Sequence, residues 1–132
     1  MTTAITPNGS KAVLVDSSGW LEYLTSGEKA EAFAPYLESK RHIVVPTIVI
    51  FEVRKILLLR QSRAIADEFV GEALAREVVD LDGALALTAV ESGIRHQLPM
   101  ADAIIYAAAQ SRQAELITSD SHFARLSGVT LI

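Results

Sequence analysis

A chain of 132 residues with hydrophobic side chains at half of its positions is long enough to bury one core and too apolar for intrinsic disorder. It contains no cysteine, which excludes a disulfide framework, a thiolate metal site and thiol nucleophilic catalysis, and suits a reducing cytoplasm. The formal charge of −4, from 16 acidic and 12 basic residues, argues against a global basic field for nucleic acid, and no apolar run approaches the roughly 20 residues that span a bilayer.

Residues 1–10 read as a tail, because Pro7, Asn8 and Gly9 break any regular pattern and no basic start or apolar stretch marks a signal peptide. Residues 11–132 read as one domain without repeats or linkers. Short runs rich in Val, Ile and Leu fall at Ala12–Val15, Ile43–Val45, Val78–Val79, Leu116–Ile117 and Val129–Ile132, the pattern of strands buried on both faces. Between them lie stretches with helical spacing. Ser18–Leu24 has Ser17 or Ser18 as its expected N-cap, and Glu28–Lys40 carries Pro35 inside it. Thr47–Gln61 has Thr47 as its cap, Arg63–Arg76 turns Ile65, Phe69 and Leu74 inward, and Gly83–His96 gathers Leu85, Ala89 and Ile94. Pro99–Gln113 starts on proline, and Ser121–Leu126 forms one or two turns closed by Gly128. Alternating strands and helices predict an α/β fold with a parallel sheet covered on both faces, and a site beyond the carboxyl ends of its strands.

Four acids stand where that rule points or where apolar neighbours make a charge conspicuous. Asp16 follows the first strand directly, and Asp120 lies just beyond Leu116–Ile117. Glu52 interrupts the apolar run from Ile48 to Val53, and Asp102 stands in the first turn of an otherwise apolar helix. Isolated buried carboxylates cost several kcal/mol or take up protons, so four together call for cations, and only Lys55, one turn after Glu52, is placed in sequence to pair with one of them. Carboxylate oxygens favour hard ions such as Mg²⁺ or Mn²⁺, whereas His42, His96 and His122 are too scattered for a zinc motif. Once an ion neutralises the four acids, those remaining balance the 12 bases. An acid-rich site of this kind suits phosphodiester hydrolysis. Taken singly, Asp16 and Asp120 could cap the helices that follow them, Asp102 could complement a helix dipole and Glu52 could pair with Lys55. Ser17, Ser18 and Thr118 lie beside the acids as hydrogen-bond partners, with no histidine close in sequence to activate them as nucleophiles. Arg54, Lys55, Arg95, Arg112 and His122 are candidate substrate contacts.

Four segments in this order resemble the PIN-domain family, and within it the VapC-type toxins of bacterial toxin–antitoxin pairs. Val13–Leu21 resembles the opening strand with its acid and serine. Phe51-Glu52-Val53 resembles the helical glutamate, Ala101–Ile105 the third acid, and Leu116–Phe123 the closing Thr-x-Asp-x-x-Phe pattern. The resemblance implies a three-layer α/β/α domain with a five-stranded parallel sheet over residues 11–132. It also implies Mg²⁺- or Mn²⁺-dependent endoribonuclease activity, a homodimer and a cognate antitoxin protein. Asp16, Glu52 and Asp102 would hold the principal ion, and Asp120 would support a second ion or orient water. His122 stands where the family often has an acidic or basic residue.

Other folds also place an aspartate after a first strand. A haloacid-dehalogenase-type phosphatase needs a second aspartate where Ser18 stands, and a response-regulator receiver needs a late lysine, whereas the last lysine here is Lys55. A PIN-like module that binds a partner protein or RNA without cleaving it is the remaining alternative.

Overall fold

The computed structural model describes residues 11–132, and the tail assigned to residues 1–10 lies outside them. Five strands run through the chain, β1 (Val13–Val15), β2 (Val44–Pro46), β3 (Glu77–Val79), β4 (Glu115–Thr118) and β5 (Val129–Leu131). Six helices alternate with them: α1 (Ser17–Leu24), α2 (Ala30–Leu37), α3 (Thr47–Arg60), α4 (Arg63–Leu74), α5 (Gly83–His96) and α6 (Met100–Ser111), and a 3₁₀ turn covers Ser121–Phe123. All pairings are parallel, with β4 between β1 and β5, and β2 beside β3. An isolated parallel bridge between Val13 and Ile43, with the Val13 N–H donating to His42 O at 2.9 Å, joins the three-stranded part to the two-stranded part. The strand order is therefore β3-β2-β1-β4-β5. Val13, Leu14 and Val15 are all fully buried; since neighbouring strand residues point to opposite faces, helices cover both sides of the sheet.

Helix α6 explains much of the core. Every residue from Ala103 to Ala109 is buried, the mark of a helix apolar all round that runs through the interior. Its small alanines allow α5 and the strands to approach. Trp20 of α1 also faces inward and meets Phe69 of α4 edge to face, with ring centroids 5.3 Å apart.

Several expected details shift. Helix α2 begins at Ala30 and ends at Leu37 around Pro35. Thr47 does not cap α3; it lies within the helix and its hydroxyl accepts the Leu81 N–H at 3.3 Å. Leu74 and Ile94 are largely exposed, 61% and 76%, and the alanines Ala66, Ala73 and Ala89 fill the inward stripes instead. After Asp120 the chain makes only the 3₁₀ turn. Gly128, with φ +80°, turns it into β5, an edge strand with no fully buried residue.

Candidate active site

The site sits over the carboxyl ends of β1 and β4, which are hydrogen-bonded neighbours in register from Val13 and Glu115 to Val15 and Ile117. Asp16 leaves β1 as the N-cap of α1, 5% exposed. One of its oxygens accepts the Gly19 N–H at 3.1 Å and the Ser18 hydroxyl at 2.8 Å. The other accepts the Thr118 hydroxyl at 2.5 Å. Thr118 ends β4, fully buried, and its oxygen also accepts the Asp120 N–H at 3.0 Å. One threonine thus fixes the side chain of the first acid and the backbone of the fourth.

The rest of the closing motif follows the same logic. Asp120 caps the 3₁₀ turn by accepting the His122 N–H at 2.8 Å, and Phe123, fully buried, pins that turn to the core. The turn carries His122 over the N-terminus of α6. There its Nδ1 lies 3.0 Å from Asp102 and 3.4 Å from Asp120. One donor atom from each of Asp102, Asp120 and His122 lies within 4.8 Å of the others. Asp102 occupies the first turn of α6, where the helix dipole favours a negative charge. Glu52, half-buried on α3 between buried Val49 and Val53, accepts the Ser17 hydroxyl at 2.6 Å and is thereby tied to the residue after Asp16.

Burial is the main reason that the Asp16 carboxyl is held above its ordinary range, against the opposing pull of its hydrogen bonds from Thr118, Ser18 and Gly19; repulsion from Asp120 adds to the rise. Asp102 is raised first by burial and further by Asp120, with His122 acting in the opposite direction. The His122 imidazole is raised through its bond to Asp102 and the charge of Asp120. No lysine or arginine forms an ion pair with any of the four acids among the described residues. Carboxylate oxygens without a fixed cation, together with one imidazole, form a donor set that fits a divalent ion.

The predicted residues therefore separate. Asp120 acts electrostatically on both Asp16 and Asp102, and Glu52 is bonded to Ser17, the residue after Asp16. Ser17, Ser18 and Thr118 each donate to an acid. Both capping alternatives hold as well, for Asp16 and Asp120 are N-caps, so cap and charge cluster are the same residues. The Glu52–Lys55 pair does not form. Lys55 is exposed, and Arg54 pairs with Asp67 at 2.9 Å. Arg112 bonds Glu77 at 2.7 Å at the far end of α6, about 15 Å along the helix from Asp102. Arg95 lines a groove between α5 and the loop after the 3₁₀ turn, together with His96, Tyr106, Gln110 and Arg125. Sequence reading passed over Arg125 and Ser119. The latter lies 3.3 Å from Ser18, hydroxyl to hydroxyl; its place inside Thr118-x-Asp120 was the available signal.

Comparison with known proteins agrees with this architecture. A toxin–antitoxin complex from Klebsiella pneumoniae contains a chain with 24% identity and a TM-score of 0.74, the match covering 89% of this chain and 95% of that one. The sarcin–ricin-loop-cleaving toxin VapC20 of Mycobacterium tuberculosis has 20% identity and a TM-score of 0.70, covering 89% and 96%. A DNA-bound VapBC from Salmonella typhimurium has 18% identity and a TM-score of 0.68, covering 92% and 96%. A search of curated proteins gives no match. The model of the PIN domain matches residues 13–129, from the first residue of β1 to the first of β5, and the chain belongs to the PIN-domain family.

Proposed function

We propose that this protein is a divalent-metal-dependent endoribonuclease acting as the toxin of a toxin–antitoxin pair. The observation that carries the reading is the chain of acids over the ends of β1 and β4: Asp16 and Asp120 share Thr118, Asp102 at the start of α6 brings an oxygen within 4.8 Å of one from Asp120, and Glu52 is bonded to Ser17 beside Asp16. PIN domains are nucleases as a family, and the structural neighbours named above come from toxin–antitoxin systems.

Asp16, Glu52, Asp102 and Asp120 would hold Mg²⁺ or Mn²⁺. The bound ion supplies charge for a phosphate oxygen and favours ionisation of an attacking water. The residues of the chain supply orientation. Thr118 and Ser18 hold the Asp16 oxygens in place and Ser17 holds Glu52; a carboxylate of the cluster would accept the water's proton as the water oxygen bonds phosphorus, and the ribose oxygen on the opposite side would depart as its bond to phosphorus breaks and take a proton from solvent water. Arg95 and Arg125 share a groove that begins one turn along α6 from Asp102, at Tyr106, and have no ion-pair partner among the described residues, so they are suited to take flanking RNA phosphates. Arg54 and Arg112 already have carboxylate partners and are weaker candidates.

Two protein surfaces complete the reading. The first would pair two copies of the chain. Leu87, Val90 and Ile94 form an exposed stripe on α5, continued by Met100, and a self-complementary apolar stripe suits a two-fold homodimer. The second would receive the antitoxin. Trp20 and Leu57 are core residues, whereas Phe51, Leu58 and Leu59 of α3 are exposed. Trp20 also borders a cavity with Tyr23, Leu37 and Gly71, where an antitoxin segment could lie. An arginine from such a segment, inserted among the acids, would block the site by a forked pair.

The test is cleavage of structured RNA by purified protein with Mn²⁺, with chelator, and by the Asp102→Asn variant. Cleavage confined to the metal-loaded wild type supports the reading. Mn²⁺ binding without cleavage on any RNA would favour the non-catalytic binding module. Co-purification with a small partner, followed by alanine replacement of each of its basic residues, tests the inhibitory arginine.

A further inference from the structure

We propose that His122 is a direct ligand of the divalent ion, and that it biases this site from Mg²⁺ toward Mn²⁺ and Co²⁺; the inference rests on the nuclease reading and specifies its metal.

The geometry is that of a coordination edge. Ligands at about 2.1 Å from an octahedral ion stand about 3.0 Å apart when adjacent. His122 Nδ1 is 3.0 Å from Asp102 Oδ2 and 3.4 Å from Asp120 Oδ1, and one donor atom from each of the three lies within 4.8 Å of the others, a spacing that a single ion could bridge. The backbone brings His122 to the acids. Its main-chain N–H is fixed by the cap of Asp120 at 2.8 Å, and the next residue, Phe123, is anchored in the core. The position of its Cα therefore does not depend on the contact between the ring and Asp102. The side chain is 60% exposed, which leaves Nε2 free for solvent while Nδ1 turns to the ion.

Selectivity follows from the donor atom. Mg²⁺ favours oxygen ligands and keeps several waters, so it gains little from an imidazole nitrogen. First-row transition ions accept imidazole readily, Co²⁺ more strongly than Mn²⁺. Three carboxylates plus water at this position would not make that distinction.

The experiment compares wild type, His122→Ala, His122→Asn and Asp102→Asn as full-length protein. Calorimetry gives the Kd of Mg²⁺, Mn²⁺ and Co²⁺, and pulsed EPR of the Mn²⁺ complex reports ¹⁴N coupled to the ion. Wild type should show imidazole ¹⁴N modulation, and both His122 variants should lose it. Their Mn²⁺ and Co²⁺ affinities should fall about tenfold or more while that for Mg²⁺ changes less than about threefold. Unchanged modulation in the His122 variants, or an equal loss for Mg²⁺ and Mn²⁺, overturns the inference and leaves His122 a substrate contact or a partner of Asp102. Failure of the underlying reading looks different, because metal-loaded wild type would then cleave no RNA, or Asp102→Asn would bind Mn²⁺ as tightly as wild type. His122 is exposed, and matching metal-free melting curves show that its variants are folded.

Discussion

Asp16 closes the N-terminus of α1 and also faces Asp120. Asparagine can perform the first task without the charge of the second, so Asp16→Asn should keep the fold and lose RNA cleavage by at least ~100-fold. Glu52→Gln and Asp102→Asn should behave alike, and Asp120→Asn should be milder because its amide oxygen still caps the turn and can ligate weakly. Cleavage rates beside circular dichroism of each variant check this; near wild-type rates in the first three would remove the site assignment. The same acids determine a pH dependence. Asp16 and Asp102 hold protons more tightly folded than unfolded, so the folded chain binds the more protons. The stability they contribute falls as pH rises from the ordinary carboxylate range through their raised values. Glu77 and Glu115, held below the ordinary range with help from His42 and Arg112, and from Thr130 and Arg41, act oppositely, and lose their contribution as pH falls through their lowered values. Without metal, Asp102→Asn should therefore melt no lower than wild type at about pH 7.5, and any gain should shrink toward about pH 5. A clearly lower melting temperature at the higher pH would make Asp102 a structural cap.

At the level of elements, α1 is held close to β1 by Gly19. A methyl group there would stand 2.5 Å from Val15 Cγ1 and 2.6 Å from Phe33 Cε1, so α1 would have to move, carrying Asp16 away from Thr118. Gly19→Ala should destabilise the protein by about 1–3 kcal/mol in urea unfolding. The elements legible in the sequence were those with an unambiguous period. The buried strands read as continuous apolar runs, and all six helices were visible by spacing. Ile94 and Leu74 were misplaced because periodicity says which residues share a stripe, not whether the inward side is filled by leucine or by alanine. The sequence after Asp120 is compatible with one or two helical turns over Ser121–Leu126, but only Phe123 of that stretch is fully buried, and the chain makes a single 3₁₀ turn there. At the site, acids placed by strand ends were legible. His122 was harder to place, because its approach to Asp102 depends on how α6 packs beside β4, which no local pattern encodes.

For the whole molecule, the exposed stripe of Leu87, Val90 and Ile94 on α5 sets the expected assembly. Ile94→Glu should convert a dimer to a monomer in sedimentation without loss of helix content, since that side chain is 76% exposed; an unchanged dimer would move the interface elsewhere. Added Mn²⁺ should raise the melting temperature by binding only the folded chain, and the sheet indicates where that stabilisation is felt. Its three-stranded and two-stranded parts meet at the bridge between Val13 and Ile43. Asp16 and Asp120 follow strands of the first part and Thr118 ends one of them, whereas Glu52 lies on α3, which leaves β2 of the second. An ion shared by Asp16 and Glu52 would thus rivet the two parts across their seam. The Val13 amide, which bonds His42 across that seam at 2.9 Å, should exchange its hydrogen more slowly with Mn²⁺ present. Glu52→Gln should erase the protection, whereas amides within the β1–β4 ladder should change far less. A catalytic ion that also fastens the sheet would make depletion of metal a mechanical event as well as a chemical one, loosening the domain along one line and leaving its two halves individually intact.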